Sequence, residues 1–206
     1  MKIAIIGAGN VGSSLAKGWA LKGHEVVFGV RNTNSEKTKK ALALHSSLRA
    51  ISVKDAISES EVVLLATPAG AVKEIAQEIK PFLKNQIILD SMNSVSAKPE
   101  GFQNTFEALK AYTEYEHIVK CFNSTGAENM ANPNYPDGAV DMFMAGSSKK
   151  GKEIARILAL DVGFKECYDF GGDDKVPLLE NLALCWINLA YMQGQGRNFA
   201  FKIVKR

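Results

Sequence analysis

The fold is decided by the first twelve residues of the chain, which read Met1-Lys2-Ile3-Ala4-Ile5-Ile6-Gly7-Ala8-Gly9-Asn10-Val11-Gly12. Residues 3–6 form a short apolar run rich in β-branched side chains, which is typical of a strand covered on both faces in a parallel sheet. An amphipathic run over residues 11–21 follows the glycines and indicates a helix. The stretch therefore predicts a strand, a tight turn and a helix in direct succession.

Three glycines of this turn, Gly7, Gly9 and Gly12, have the spacing and context of the dinucleotide-binding fingerprint. Gly7 permits the tight turn, the missing Cβ at Gly9 lets a pyrophosphate approach the backbone, and Gly12 lets the helix lie close to the strand. The N–H groups and the positive dipole end of the helix face the phosphates. A purely structural turn is the alternative, but the position between strand and helix favours dinucleotide binding.

Predicted strands and helices alternate along the chain, which indicates a parallel sheet with right-handed crossovers. We expect strands at residues 3–6, 25–30, 62–66, 86–89, 117–122, 140–145 and 164–168, helices at residues 11–21, 33–44, 54–58, 69–79, 105–112, 128–131, 149–160 and 175–193, and a loop at residues 91–101. The predicted fold class is α/β: a Rossmann-type, doubly wound, mostly parallel sheet with a small C-terminal α/β extension. In such sheets ligands bind at the carboxyl ends of the strands.

The end of the second predicted strand indicates which dinucleotide is bound. NAD-binding folds usually carry an Asp or Glu there for the ribose 2′-hydroxyl. This chain instead has Gly29-Val30-Arg31-Asn32. A guanidinium can pair with a 2′-phosphate in a bidentate manner, and Asn32 and Thr33 can add neutral donors. The sequence therefore predicts NADP rather than NAD; a solvated surface arginine is the alternative for Arg31.

Residues 132–138 contain two prolines, two asparagines and a glycine, and this loop is the best candidate for a boundary. We therefore expect an NADP-binding Rossmann domain over residues 1–131. Residues 132–206 would form a C-terminal α/β extension that completes the pocket for a second substrate.

Composition and charge limit the functions to be considered. The chain has 206 residues, 46% of them hydrophobic and 23% charged, with a net charge of +3 that is scattered along the sequence. We therefore expect no nucleic-acid partner. No apolar stretch reaches the ~20 residues that span a bilayer, and the first strand leaves no room for a signal peptide. Three widely spaced cysteines fit reduced thiols, so the expected compartment is the cytoplasm.

Residues for acid–base or metal chemistry are sparse. His24, His45 and His117 share no metal-ligand spacing, so we expect no metal site. Asp90 is interpreted as a loop or capping residue, and Lys120 as a strand-edge residue that could lie near a nicotinamide. A dehydrogenase acting on a hydroxyl or an imine must also move a proton. Transfer between two stacked ring cofactors depends mainly on proximity and orientation.

Segments along the whole chain together resemble the coenzyme F420-dependent NADP oxidoreductase family. They are Gly7-Ala8-Gly9-Asn10-Val11-Gly12, Gly29-Val30-Arg31, Ala66-Thr67-Pro68, Lys120-Cys121-Phe122-Asn123-Ser124-Thr125-Gly126-Ala127-Glu128-Asn129, Val176-Pro177-Leu178-Leu179-Glu180-Asn181-Leu182-Ala183, Trp186-Ile187-Asn188-Leu189-Ala190, Gly194-Gln195-Gly196-Arg197 and Phe199-Ala200-Phe201. The resemblance implies reversible hydride transfer between NADP and the deazaflavin ring of coenzyme F420, or a related flavin.

The resemblance also implies roles for individual residues. The turn of Gly7, Ala8, Gly9, Asn10, Val11 and Gly12 would hold the pyrophosphate, and Arg31 with Asn32 would meet the 2′-phosphate. Thr67 and Pro68 would lie on the ribose side, Asn93 near the nicotinamide ribose, and the backbone at Gly126 and Ala127 against the carboxamide. The best-known members carry hydroxyl side chains where this chain has Ala8 and Val30, so NADP preference depends here on Arg31.

Two alternative functions stay open, and so does the oligomeric state. One is a small-molecule reductase of the pyrroline-carboxylate or hydroxyacid type, which the strand-like residues 140–145 and 164–168 disfavour, because such enzymes add a large all-helical domain. The other is a noncatalytic NADP-binding sensor, which would have no second pocket. The apolar helix predicted at residues 175–193 is interpreted as core, part of it as a subunit interface, and a homodimer is the expected assembly.

Overall fold

A single sheet organises the chain. The computed structural model describes residues 1–95 and 97–206, and over these residues it has eight strands in the order β3-β2-β1-β4-β5-β6-β7-β8. The strands are β1 (Lys2–Ile6), β2 (Glu25–Gly29), β3 (Arg49–Ile51), β4 (Val62–Leu65), β5 (Ile87–Asp90), β6 (Ile118–Cys121), β7 (Met142–Ala145) and β8 (Cys167–Asp169). Neighbouring strands are parallel except β6 and β7. The predicted α/β, Rossmann-type fold is therefore confirmed.

Helices cover both faces of this sheet. They are α1 (Asn10–Leu21), α2 (Glu36–Leu42), α3 (Val53–Glu59), α4 (Val72–Ile79), α5 (Thr105–Thr113), α6 (Ala127–Ala131), α7 (Lys149–Asp161) and α8 (Val176–Ile187). One apolar core packs α1, α6 and α7 against one face, with Leu15, Trp19 and Leu158 fully buried. A second core packs α3, α4, α5 and α8 against the other face. The sheet is thus doubly wound, as the continuous apolar strands require.

The strand order reverses between β1 and β4. The chain runs outward from β1 to β2 and β3, then returns to place β4 on the other side of β1. Ligands of open α/β sheets bind in the crevice outside the carboxyl ends of the strands at such a switch point. The Gly-rich turn after β1 and the Ala66-Thr67-Pro68 segment after β4 lie next to each other at this edge.

Most predicted elements are found within a few residues, and the differences have local causes. The helix predicted at residues 33–44 begins only at Glu36, because the Ser35 hydroxyl accepts a hydrogen bond from the Thr38 amide at 3.1 Å and caps it. Strand β3 has three residues, too few to show an alternating pattern, and it was not predicted. The helix predicted at residues 175–193 ends as an α-helix at Ile187 and continues as a π-helical turn over Asn188–Met192.

The strands of the C-terminal part extend the same sheet. Strand β7 pairs with β6 through Lys120 and Cys121, and β8 pairs with β7. The last residues of the chain fold back onto the start of β7, where the Ile203 amide donates to Asp141 Oδ2 at 2.7 Å. Ser96, in the loop predicted at residues 91–101, lies outside the described residues. Over the described residues, no helix is long and apolar enough to cross a membrane.

Candidate active site at the carboxyl edge of the sheet

The turn between β1 and α1 requires its glycines. Gly7 has a φ of 110°, and a Cβ built on it would lie 2.5 Å from the Ala66 carbonyl oxygen. A Cβ on Gly12 would lie 2.3 Å from the Gly7 carbonyl oxygen. Helix α1 starts at Asn10, and over the described residues no side chain caps it and no acidic residue occupies its first turn. Its first amides therefore face the edge of the sheet, an arrangement suited to an anion.

Two cavities lie along this edge, and the first extends over the ends of β1 and β2. It has a volume of about 320 Å³. The predicted residues that line it are Gly7, Ala8, Arg31, Asn32, Thr67 and Pro68. Its shape and position, beyond the ends of the two strands, suit the adenosine half of a dinucleotide.

Arg31 is already paired in this cavity. Its Nη2 atom lies 3.0 Å from Glu74 Oε1 and 3.2 Å from Glu78 Oε2, both on α4, and Glu78 also lines the cavity. These side-chain hydrogen bonds, first to Glu74 and then to Glu78, raise the pKa of the guanidinium above its usual value. The end of β2 itself carries no carboxylate, as the sequence shows, but two carboxylates of α4 reach Arg31 there.

Lys37 is a second cation at this edge, and it was not predicted as a site residue. It lies in the first turn of α2 and lines both cavities. Its Nζ atom would be 3.7 Å from a Cβ built on Gly9. Lys37, Lys39 and Lys40 are close in sequence, and Lys39 pairs with Glu36 on the surface. The basic cluster was visible in the sequence, but the member that faces the turn depends on the helix orientation.

The second cavity continues from the Gly-rich turn toward the ends of β5 and β6 and has a volume of about 430 Å³. It brings together the predicted residues Gly9, Asn10, Val11, Pro68, Asn93, Gly126 and Ala127. Of the thirteen predicted residues, only Gly12 lines neither cavity, because it packs beneath the turn. The two cavities share Lys37 and Pro68 in their linings, so they adjoin, and together they are called the cleft below.

The far wall of this cleft comes from α8 and the residues after it. Trp186, Ile187, Tyr191 and Arg197 line it. A Cβ on Gly126 would come within 2.9 Å of the Trp186 ring, so the glycine permits the ring to pack closely. Trp186 Nε1 donates to the Phe199 carbonyl oxygen at 2.7 Å, which anchors the tail. The helix predicted at residues 175–193 was interpreted as core, and its residue Trp186 is both packed in the core and part of the cleft wall.

Arg197 is held at the cleft by several contacts. It donates to both carboxylate oxygens of Glu128 at 2.9 and 2.8 Å, and its guanidinium lies 5.8 Å from the centre of the Trp186 ring and 5.5 Å from that of Tyr191. The pairing with Arg197 lowers the pKa of Glu128. The wall is therefore aromatic and carries a fixed cation. This arrangement depends on how the C-terminal tail folds back, so no local sequence signal indicates it.

A buried charge cluster lies behind the second cavity. Lys120 is fully buried, and its Nζ atom lies 3.1 Å from Asp90 Oδ2, 3.0 Å from Thr105 Oγ1 and 2.5 Å from Glu180 Oε1; it also donates to the Met92 carbonyl oxygen. Asp90 ends β5 and accepts from the Met92 amide of the following loop at 3.0 Å, as its interpretation as a loop or capping residue requires, whereas the interpretation of Lys120 as a strand-edge residue was wrong. Their strands are interior, and Glu180 comes from α8, far away in sequence.

Other reactive groups lie away from this cleft. Cys121 and Cys167 are free and buried, and burial raises the pKa of the Cys121 thiol well above its usual value. Cys185 is exposed on α8. Within residues 1–95 and 97–206, no group of three or more His, Cys, Asp or Glu side chains could hold a metal ion.

Comparison with known proteins agrees with this geometry. Residues 2–94 match the family model described as NADP oxidoreductase, coenzyme F420-dependent. An F420-dependent NADP reductase of Methanocaldococcus jannaschii is 23% identical, with 93% of this chain and 94% of that protein covered. A presumed F420-dependent NADP reductase from Arthrobacter sp. has a crystal structure with a TM-score of 0.86 and 25% identity, and the match covers 100% of both chains.

A second group of relatives carries the name glycerol-3-phosphate dehydrogenase. A glycerol-3-phosphate dehydrogenase [NAD(P)+] of Clostridium acetobutylicum is 24% identical over 86% of this chain. The chain spans 63% of the length of that relative. Residues 2–94 thus match the coenzyme F420-dependent NADP oxidoreductase family, and the relatives agree with an NAD(P)-dependent oxidoreductase.

Proposed function

We propose that the chain binds NADP(H) in the cleft and transfers a hydride between it and a planar redox cofactor, coenzyme F420 or a related flavin. The observation that carries this proposal is the pair of adjoining cavities at the Gly-rich turn. One is large enough for the adenosine half and carries Arg31, and the other has an aromatic wall. When bound, the nicotinamide supplies the hydride, and the protein supplies position.

Each part of the cleft has a role in this proposal. The first amides of α1 and the Lys37 ammonium group hold the diphosphate, because Lys37 Nζ lies over Gly9. Arg31 meets the 2′-phosphate, with Asn32 beside it. Thr67 and Pro68 contact the ribose, and the backbone at Gly126 and Ala127 holds the carboxamide end. Residues 1–131 thus form the nucleotide-binding domain, and residues 132–206 complete the second pocket.

The second substrate would lie against α8 and the tail. Trp186, Ile187 and Tyr191 offer a largely apolar, aromatic surface opposite the nicotinamide end of the cleft. Planar ring systems stack on such surfaces. Hydride transfer between two stacked rings needs mainly proximity and orientation. The aromatic wall therefore suits a planar ring cofactor better than a small polar substrate.

A small-molecule reductase is the second candidate, and the Asp90–Lys120–Glu180 cluster favours it. The cluster lies beside Asn93 and contains the kind of side chains that move protons. Oxidation of glycerol 3-phosphate with NADP⁺ or NAD⁺ tests this candidate, because relatives carry that name. A noncatalytic NADP-binding sensor is the third candidate.

We also propose that the chain forms a homodimer through α8. Leu178, Leu182 and Cys185 follow one another on α8 in steps of four and three residues, and the exposed apolar residues Leu189 and Met192 follow in the π-helical turn. Leu178 is 54% exposed and Met192 75% exposed. This spacing is that of an apolar seam between two helices, and such exposed seams are normally covered by a partner.

The acceptor assay tests the main proposal. NADPH oxidation is followed with coenzyme F420, flavin mononucleotide or a ferric chelate as the acceptor, and we expect coenzyme F420 or the flavin to be reduced. Tyr191→Ala should lower kcat/KM for that acceptor by about two- to tenfold, because a stacking surface is lost. Leu184→Ala, on α8 and outside both cavities, is the control. Binding of NADPH with no acceptor reduced supports the sensor instead.

Arg31 and Glu78 test the cofactor preference. Arg31→Ala should raise the Kd of NADPH by roughly ten- to a hundredfold, since charged hydrogen bonds to the 2′-phosphate are lost. The Kd of NADH should change little. Glu78→Gln should tighten NADPH binding, because it removes a carboxylate that competes for the guanidinium. Arg49→Ala, which removes only the surface pair with Glu59, is the control. Equal losses of NADPH and NADH affinity in Arg31→Ala would refute this role.

Cys185 tests the dimer, because it is the central residue of the seam. In a two-fold, antiparallel pairing of α8 helices the two Cys185 side chains meet. Mild oxidation should therefore give a disulfide-linked dimer, and Cys185→Ser should abolish it, since Cys121 and Cys167 are buried. Leu189→Lys should convert the protein to a monomer in analytical ultracentrifugation. A wild-type protein that is monomeric at micromolar concentration contradicts the proposal.

A further inference from the structure

Asn123 is a buried polar residue of the cleft whose role the family resemblance does not assign. It lies two residues after the end of β6 and is 2% exposed, and it lines the second cavity with Gly126 and Ala127. The residue before it, Phe122, has a φ of 60°, in the left-handed region that non-glycine residues rarely adopt. Such backbone conformations concentrate at functional sites, where the surrounding structure holds them.

Hydrogen bonds to Asn93 fix the orientation of the Asn123 amide. Asn93 Nδ2 donates to the Asn123 backbone carbonyl oxygen at 2.9 Å. Because a carbonyl oxygen can only accept, the Asn93 amide must present its nitrogen there and its oxygen to Asn123. Asn123 Nδ2 then donates to Asn93 Oδ1 at 3.1 Å. The two hydrogen bonds with Asn93 therefore identify Oδ1 as the amide atom of the Asn123 side chain that they leave without a partner.

Asn123 Oδ1 has no hydrogen-bond partner among the described residues, although it is buried. A buried acceptor without a partner costs about 1–3 kcal/mol. A group of this kind at the wall of a cavity is explained if a ligand supplies the missing donor.

The buried charge cluster holds this acceptor in place. Lys120 donates to the Met92 carbonyl oxygen, and the Ser94 amide donates to Glu180 Oε2 at 3.3 Å. The Met92 amide donates to Asp90 Oδ1 at 3.0 Å. The residues on both sides of Asn93 are thus bound to the cluster, and Asn93 in turn orients Asn123. Asp90, Lys120 and Glu180 act here as positioning residues.

We infer that Asn123 Oδ1 accepts a hydrogen bond from the carboxamide NH₂ group of the bound nicotinamide. This inference rests on the proposed binding of NADP(H) in the cleft. The carboxamide has two ends of opposite hydrogen-bonding character. Backbone amides at Gly126 and Ala127 suit its oxygen, and the Asn123 oxygen, in the same cavity, suits its nitrogen. Together they fix the orientation of the nicotinamide ring.

The test compares three ligands by calorimetric titration. NADP⁺ has the carboxamide, its 3-acetylpyridine analogue has a methyl group in place of the NH₂, and 2′,5′-ADP lacks the nicotinamide half. Wild-type protein should bind NADP⁺ about three- to tenfold more tightly than the acetylpyridine analogue. Asn123→Ala should bind these two with equal affinity and should bind 2′,5′-ADP as tightly as wild type does.

The other outcomes overturn either this inference or the proposed function, and the three ligands distinguish the two cases. Equal binding of NADP⁺ and the analogue by the wild-type protein overturns the inference, and this measurement needs no variant. Retained discrimination in Asn123→Ala also overturns it, as does an equal loss of affinity for 2′,5′-ADP. If wild-type protein binds none of the three ligands, the proposed function itself fails.

Discussion

The close approach of the Gly-rich turn to the end of β4 is the constraint on which the site depends. Side-chain atoms at Gly7 or Gly12 would overlap backbone atoms, at 2.5 Å from the Ala66 oxygen and 2.3 Å from the Gly7 oxygen. The contact brings the start of α1 to the point where the strand order reverses. It leaves the first amides of α1 without a side-chain cap at this edge, and both cavities are lined by residues of the turn.

Charge is distributed unevenly along this cleft. In the first cavity, Arg31 is balanced by Glu74 and Glu78, whereas Lys37 lies near Gly9 of the turn and lines both cavities. At the other end, Arg197 is balanced by Glu128, and Lys120 is enclosed by Asp90 and Glu180. Their carboxylate partners thus hold these cations in position before a ligand binds. A ligand phosphate has to compete with carboxylates for Arg31 but not for the amides of α1, which makes the diphosphate the expected anchor.

Much of the fold could be read from the sequence, because apolar strands and glycine spacing are local signals. Twelve of the thirteen predicted site residues line this cleft, since strand ends of a parallel sheet meet at one edge. Residues that depend on long-range packing were missed. Glu180 joins Lys120 only because α8 packs beside β7, and Arg197 reaches the cleft only because the tail folds back. Asn123 looks like any loop asparagine until its partner Asn93 is known.

The most direct test of the account is a fluorescence titration with NADPH. The chain has two tryptophans; Trp186 lines the proposed nicotinamide end, whereas Trp19 is a fully buried residue of α1. If NADPH binds in the cleft, it quenches tryptophan emission saturably with one site per chain, and Trp186→Phe loses this quenching while calorimetry still detects nucleotide binding. A folded wild-type protein whose emission is unchanged by NADPH and by NADH would contradict binding in the cleft.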